Sequence, residues 1–292
     1  MASRFDLDEI ALRAILPGEP AYRVRQLRKG LLEGREPGEL TDLPKALRAR
    51  LDGEADLAPG LRLVHQAESD GGETLKWLWE ITGGPRVETV LMHYAGRTTV
   101  CVSSQAGCAM GCSFCATGQI GFERHLTSGE IVEQVVRART AAAASGRRLG
   151  NVVFMGMGEP LANLDRVWAA VHVLHDDLGI SARHLTISTV GVVPGIDRLA
   201  AADLPVNLAV SLHAATDDLR NELVPLGRRY PLAVLVDACA RYVAATRRRL
   251  SFEWALIAGT NDTAEQAAAL ARLARPLRAH VNLIPLNPTP GY

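Results

Sequence analysis

Long apolar runs are missing from this sequence. No stretch approaches the ~20 apolar residues that a membrane span requires, and the first eleven residues carry acidic side chains where a signal peptide would have its apolar core. A membrane protein is not indicated, and a cytoplasmic location is the expectation. Net charge is missing as well. Thirty-two basic residues balance thirty-two acidic ones, so the whole chain makes no case for a polyanionic partner and any such case rests on local patches. Cysteine is sparse, and its count of five is odd; with no secretion signal, this argues against a disulfide framework. No internal repeat or low-complexity linker interrupts the chain. What is present, 292 residues of which 48% are hydrophobic and 22% charged, has the make-up of a folded protein with room for one large domain and one small one.

Residues 6–51 have the apolar spacing of short helices. Pro17 ends the first, and Tyr22, Val24, Leu27 and Leu31 fall roughly on one face of the next. After residue 60 the pattern switches to alternating runs at 61–64, 75–81 and 87–92, separated by the turn signals Asp70-Gly71-Gly72 and Gly83-Gly84-Pro85. From Thr98 onward, short apolar runs alternate with longer amphipathic ones, the mark of βα units around a parallel sheet. Six strands are expected, at 98–103, 151–155, 184–188, 207–211, 250–256 and 280–285. Thr127 and Glu130 have the spacing of a capping box, 141–144 marks a helix end, and Asp262 or Thr263 is placed to cap the helix before the sixth strand. The expected class is α/β, a partial open (βα)6 barrel with a small helical N-terminal domain, divided as 1–58, connecting strands at 59–97, and a core domain at 98–292. In parallel βα architectures the site forms at the C-terminal strand ends. Here those ends carry Gly158-Glu159, Ser188, Ser211-Leu212-His213 and Asn287.

Four of the five cysteines, Cys101, Cys108, Cys112 and Cys115, fall within fifteen residues. The last three form Cys-x3-Cys-x2-Cys on the loop after the first of the six strands, where thiolates can converge on one iron–sulfur cluster. A 4Fe–4S cluster held by three cysteines leaves one iron open to a small molecule with an amine and a carboxylate. S-adenosylmethionine is the known example, and an electron from the cluster cleaves its sulfonium bond to give a carbon radical. Structural zinc is the competing reading, but it wants a fourth Cys or His. His125, ten residues after Cys115, has no paired ligand beside it. Cys239 lies with Leu232, Leu235, Val236 and Val243 at helical core spacing and reads as packing.

The motifs Cys101-Val102-Ser103-Ser104-Gln105, Phe114-Cys115-Ala116-Thr117-Gly118, Met155-Gly156-Met157-Gly158-Glu159-Pro160-Leu161, Ser211-Leu212-His213-Ala214 and Asn282-Leu283-Ile284-Pro285-Leu286-Asn287-Pro288 resemble the radical S-adenosylmethionine RNA methyltransferases that methylate carbon 2 of adenosine. Close relatives of that family methylate carbon 8. The resemblance spans nearly the whole chain and includes Tyr22-Arg23-Val24-Arg25-Gln26-Leu27, which is similar to the family's N-terminal domain. It implies a radical-type barrel that binds a 4Fe–4S cluster through Cys108, Cys112 and Cys115. It also implies that Gly158 and Glu159 meet the amino group of S-adenosylmethionine, and that Ser188, Ser211, Leu212, His213 and Asn287 contact the rest of that cofactor. Taken alone, polar residues at strand ends cap backbone groups. Glu88 matches the position that takes a proton from the adenine carbon, and Cys101 the cysteine that helps resolve the enzyme–RNA adduct. Without the resemblance, Glu88 reads as a solvated strand residue and Cys101 as a small buried one.

Ribosomal RNA, transfer RNA or both are the implied partners, together with an electron donor such as flavodoxin or ferredoxin. A monomer is expected. The sequence stops at Tyr292, five residues after Asn287, before the segment that carries the methyl-bearing cysteine in the resembling enzymes. The expectation is that these 292 residues bind cluster and cofactor without completing methyl transfer. A shortened enzyme and a divergent radical enzyme both fit, as does a non-catalytic RNA-binding relative. Local positive charge is present in Arg228, Arg229, Arg241, Arg247, Arg248 and Arg249 and in Arg23, Arg25, Arg28 and Lys29. Such patches can track phosphates or form solvated helix faces, and no aromatic residues interleave with the first group for base stacking.

Overall fold

The computed structural model describes residues 3–289. Contacts divide the chain into two compact units. The first holds the described residues through Ser103 with His125–Val152 and Asp165–Ser181. The second holds Ser104–Arg124, Val153–Leu164 and the described residues from Ala182 onward. Neither residue 58 nor residue 97 is a boundary between them.

In the first unit, the helices Glu9–Ile15, Ala21–Leu32 and Lys45–Asp52 enclose a core that includes Leu12, Val24, Leu27, Leu31, Leu47 and Leu51. A fully buried leucine stabilises by roughly 1.5–3 kcal/mol, and this periodic stripe is what fixes the helices. Asp8 caps the first by accepting the Ala11 N–H at 2.8 Å. Tyr22 does not join the core. Its ring is exposed and lies under the Arg23 guanidinium at 5.0 Å. A meander follows, Leu61–Ser69, Thr74–Ile81, Arg86–Tyr94 and Arg97–Cys101, each strand antiparallel to the next. Trp77, Trp79 and Ile81 with Val87, Thr89 and Leu91 fill its buried face, as period-two alternation requires.

The helix Ser128–Ala144 begins in the capping box of Thr127 and Glu130. Its buried Gln134 holds the end of the first core strand. The Gln134 side-chain oxygen accepts the Ser103 N–H at 2.8 Å, and its amide donates to the Ser103 carbonyl at 3.0 Å. The strand Leu149–Phe154 runs from this unit into the second.

The second unit carries four parallel strands in the order Leu185–Thr189, Asn207–Ser211, Leu250–Leu256 and His280–Pro285. Leu208, Ala209 and Val210 are fully buried in succession, as a parallel strand covered on both faces demands. The helices Val193–Ala200, Asp217–Leu223, Leu232–Thr246 and Ala264–Leu277 connect them. Thr263 caps the last by accepting the Gln266 N–H. Three of the six expected core strands, at 207–211, 250–256 and 280–285, match to the residue, and the other three shift by one or two residues. Among the described residues, no helix is long and apolar enough to cross a membrane.

Candidate functional site

The cysteine loop belongs to the second unit and is tied down by backbone bonds at several points. The Ser104 and Gln105 N–H groups both donate to the Met157 carbonyl, at 2.8 and 3.1 Å, joining the start of the loop to the 156–160 segment. Further along, the Cys108 N–H donates to Gly121 at 2.8 Å, Cys115 to Cys112 at 3.1 Å, and Ser113 to Leu223 at 3.1 Å. These bonds bring Cys108, Cys112 and Cys115 to the wall of one cavity of about 220 Å³, whose lining includes Gly158, Glu159, Ser188, Ser211 and His213. Eight of the residues singled out in the sequence meet there.

Burial raises the Cys108 thiol and pushes Cys112 up to about 12, with the neighbouring thiolates adding to the rise. Cys108 and Cys112 are therefore held toward the neutral thiol, and a cationic guest would draw off their protons. Among the described residues, no three Cys, His, Asp or Glu groups are gathered as ligands of a single ion. Three cysteine thiols on the wall of one cavity are a donor set that fits a 4Fe–4S cluster with one iron left open. A second observation agrees. Arg220 is buried behind this loop, and its Nε and Nη1 have no acceptor, so the fold holds a desolvated positive charge where an anionic group is to be received.

Glu159 is fixed on three sides. Its N–H donates to the Gln105 side-chain oxygen at 2.8 Å, while its carboxylate accepts the Leu161 N–H at 2.9 Å and the Val190 N–H at 2.8 Å. Burial nevertheless outweighs these bonds and raises the carboxyl to about 7. A cationic group entering the cavity would shift it back to the ionised form. Gly158 has φ +101°, and a Cβ there would stand 2.5 Å from Gln105 Cβ. Its missing side chain thus serves the contact with Gln105 that positions Glu159.

His213 is a non-glycine residue at φ +58°, a left-handed conformation that costs about 1–2 kcal/mol. Its neighbours over-determine it. Asn261, itself buried, donates to the His213 carbonyl at 2.8 Å and the Ala255 carbonyl at 2.7 Å and accepts the Ile257 N–H at 2.7 Å. Nδ1 of His213 accepts the Ala255 N–H at 2.9 Å, which assigns the proton of the neutral ring to Nε2. Burial, aided by the Arg220 charge, lowers the imidazole to about 3, so it remains a neutral donor at any ordinary pH. The Phe114 ring meets it edge-on at 4.7 Å between centroids.

Other residues lie elsewhere. Leu212 is fully buried, and its N–H bonds the Glu253 carbonyl at 3.0 Å, so its side chain serves the core. Asn287 is exposed beyond the last strand and does not line the cavity. Glu88 and Cys101 belong to the first unit. Cys101 sits opposite Val90, two residues from Glu88, so all three share one face of the meander. The Glu88 carboxylate pairs with Lys76 at 2.7 Å.

Cys239 is buried in its helix with its thiol pushed up to about 12, as packing requires. Much of the basic excess is already engaged. Arg241 pairs with Asp197 and Asp237, Arg248 donates to Asn207, and Arg28 pairs with Asp177. Sequence reasoning missed the positioning roles of Gln105, Asn261 and Arg220. Gln105 stood inside a quoted motif, whereas Asn261 and Arg220 act on His213 and Val190, 48 and 30 residues away in the chain.

The family model of the radical SAM superfamily matches residues 102–274. A probable dual-specificity RNA methyltransferase RlmN from Chloroflexus aurantiacus is 54% identical over 290 residues, covering 94% of this chain and 76% of the relative. The dual-specificity RNA methyltransferase RlmN 1 of Myxococcus xanthus is 50% identical over 297 residues, covering 100% of this chain and 82% of the relative. A crystal structure of a radical SAM methyltransferase from Sphaerobacter thermophilus superimposes with a TM-score of 0.93 at 50% identity, over 99% of this chain and 86% of that one.

Proposed function

From the premise that the chain belongs to the radical SAM superfamily, in the family of the dual-specificity RNA methyltransferases RlmN, we propose that it is an enzyme that methylates carbon 2 of adenosine in ribosomal and transfer RNA. The observation that carries this reading is the convergence of three thiols, a buried glutamate and a neutral histidine on one cavity. Cys108, Cys112 and Cys115 would hold a 4Fe–4S cluster. Bound there, the cluster supplies an open iron for the amine and carboxylate of S-adenosylmethionine and the electron that opens its sulfonium bond.

The chain's own residues then bind and orient. Gly158 and Glu159 face the cofactor's amino group, with the Glu159 carboxylate countering its positive charge. His213 offers Nε2–H as a fixed donor, and Ser188 and Ser211 offer hydroxyls from neighbouring strand ends. Leu212 and Asn287 belong to the set by resemblance to the family alone, since neither lines the cavity. Glu88 receives the proton that must leave the adenine carbon, with Lys76 beside it to hold the carboxylate in place. Cys101, on the same strand face, assists release of the RNA. The reading includes action in the cytoplasm as a monomer, with reduction by a flavodoxin- or ferredoxin-type donor.

The test is mass spectrometry of nucleosides from ribosomal and transfer RNA in cells that lack this modification and express these residues joined to the C-terminal segment of the Myxococcus xanthus relative, of which this chain covers 82%. Appearance of 2-methyladenosine, lost on Cys112→Ala, is the expected result. RNA with no methylated adenosine, or with 8-methyladenosine alone, would overturn the proposal.

A further inference from the structure

Arg220 is 1% exposed, a burial rare for an arginine unless it is paired. Its Nη2 donates to the Val190 carbonyl at 2.6 Å, while Nε and Nη1 have no partner. A guanidinium presents five donors and stays charged. Leaving most of them idle in the interior is costly, by several kcal/mol for an uncompensated charge, unless another group supplies the balance.

The surroundings identify that group. Arg220 lies on the helix Asp217–Leu223, whose last carbonyl accepts the Ser113 N–H at 3.1 Å, inside the cysteine loop. Cys112 packs with Leu223 and Val224, and Leu219 and Cys115 lie against the same cluster. Val190, which accepts from Arg220, gives its own N–H to Glu159 at 2.8 Å. Burial works against the Arg220 charge, and Asp217 on the same helix already accepts the Leu232 N–H at 2.7 Å. Arg220 does not line the cavity. It stands behind the wall, where it touches no ligand and acts through its field.

We infer that Arg220 is the counter-charge of the iron–sulfur cluster and sets its reduction potential. This rests on the cluster assignment above. Three thiolates outweigh the charge of the iron–sulfur core, so the loaded site is anionic and gains one more negative charge on reduction. A fixed buried cation stabilises the reduced form more than the oxidised one. Removing it therefore lowers the potential and makes the first electron harder to deliver.

The test is an EPR-monitored redox titration of the reconstituted full chain without S-adenosylmethionine, comparing wild type, Arg220→Met and Arg220→Lys, with iron content measured in parallel. Arg220→Met is expected to shift the reduction equilibrium against the reduced form at least tenfold, about 59 mV for one electron. Arg220→Lys should stay within about threefold of wild type, because it keeps the charge and loses the fork. A wild-type potential in Arg220→Met, or an equal shift in Arg220→Lys, overturns the inference. If Arg220→Met takes up no iron while Arg220→Lys takes up a full complement, the positive charge is required and the inference stands; if neither loads, shape is required and it falls. A wild-type chain that takes up no iron removes the cluster assignment itself, an outcome distinct from all of these.

Discussion

Replacing Gly158 with alanine adds one methyl group where the backbone has φ +101° and where a Cβ would stand 2.5 Å from Gln105 Cβ, 2.7 Å from its Cγ and 2.8 Å from its backbone nitrogen. Two costs follow. Holding a non-glycine residue in this region costs about 1–3 kcal/mol, and forcing a methyl into a packed contact costs about 1–3 kcal/mol more. The backbone nitrogen cannot rotate aside, because the Gln105 N–H is bound to the Met157 carbonyl at 3.1 Å. Restriction of the unfolded chain returns at most about 1 kcal/mol. The expected loss is about 1–6 kcal/mol, read by urea unfolding of the cluster-free chain. Gly146→Ala is the control, since Gly146 has φ +69° with open space around it and should lose only the backbone part. A second reading follows from Gln105. Pushing it away removes the acceptor of the Glu159 N–H, so affinity for S-adenosylmethionine should fall at least tenfold in the reconstituted chain. A stability loss below about 1 kcal/mol with unchanged cofactor affinity would refute the claim that Gly158 exists to seat Gln105 against Glu159.

Asn261→Ala removes the side-chain bonds that hold His213 in its left-handed conformation and should cost about 2–4 kcal/mol in chemical denaturation; a loss under about 1 kcal/mol would show that His213 is held by other means. His213→Asn keeps an acceptor for the Ala255 N–H and tolerates positive φ. The folded imidazole is lowered from 6.5 to about 3, so its neutral form contributes stability that is fully present above pH 6.5 and lost as pH falls toward 3. The advantage of wild type over His213→Asn should therefore shrink by roughly 2–3 kcal/mol between pH 6.5 and 4.5; a gap that stays constant across that range would contradict the buried neutral assignment. Cys239→Ala should bind as much iron as wild type and lose about 1–2 kcal/mol of stability, whereas reduced iron content would move Cys239 from packing to ligation.

The order of strands was open to view in the sequence because each parallel strand is a short, largely apolar run between amphipathic helices. Asn207–Ser211 and Leu250–Leu256 stand where that pattern put them. Thr127 and Glu130 announced their helix because a capping box is a contact within three residues. The cysteine loop was legible for the same reason, with all three thiols inside eight residues. What escaped is whatever depends on partners far apart in the chain. Tyr22 fits an apolar stripe by spacing, yet its ring packs under a charge on the surface. Leu212 sits between two cavity residues, but strand alternation turns its side chain into the core. Asn261 acts on a histidine 48 residues earlier, and Arg220 on loops 30 residues before it and beyond. No window on the sequence joins such pairs.

The account turns on three thiols acting as one cluster site that opens S-adenosylmethionine. The measurement that tests it most directly is anaerobic reconstitution of the 292-residue chain with iron and sulfide, reduction, addition of S-adenosylmethionine, and quantification of bound iron and released 5′-deoxyadenosine, with Cys112→Ala alongside. The account predicts about four irons per chain and release of 5′-deoxyadenosine in the wild type, with both lost in the variant. A full cluster that releases none, or a variant that releases as much as wild type, would contradict it.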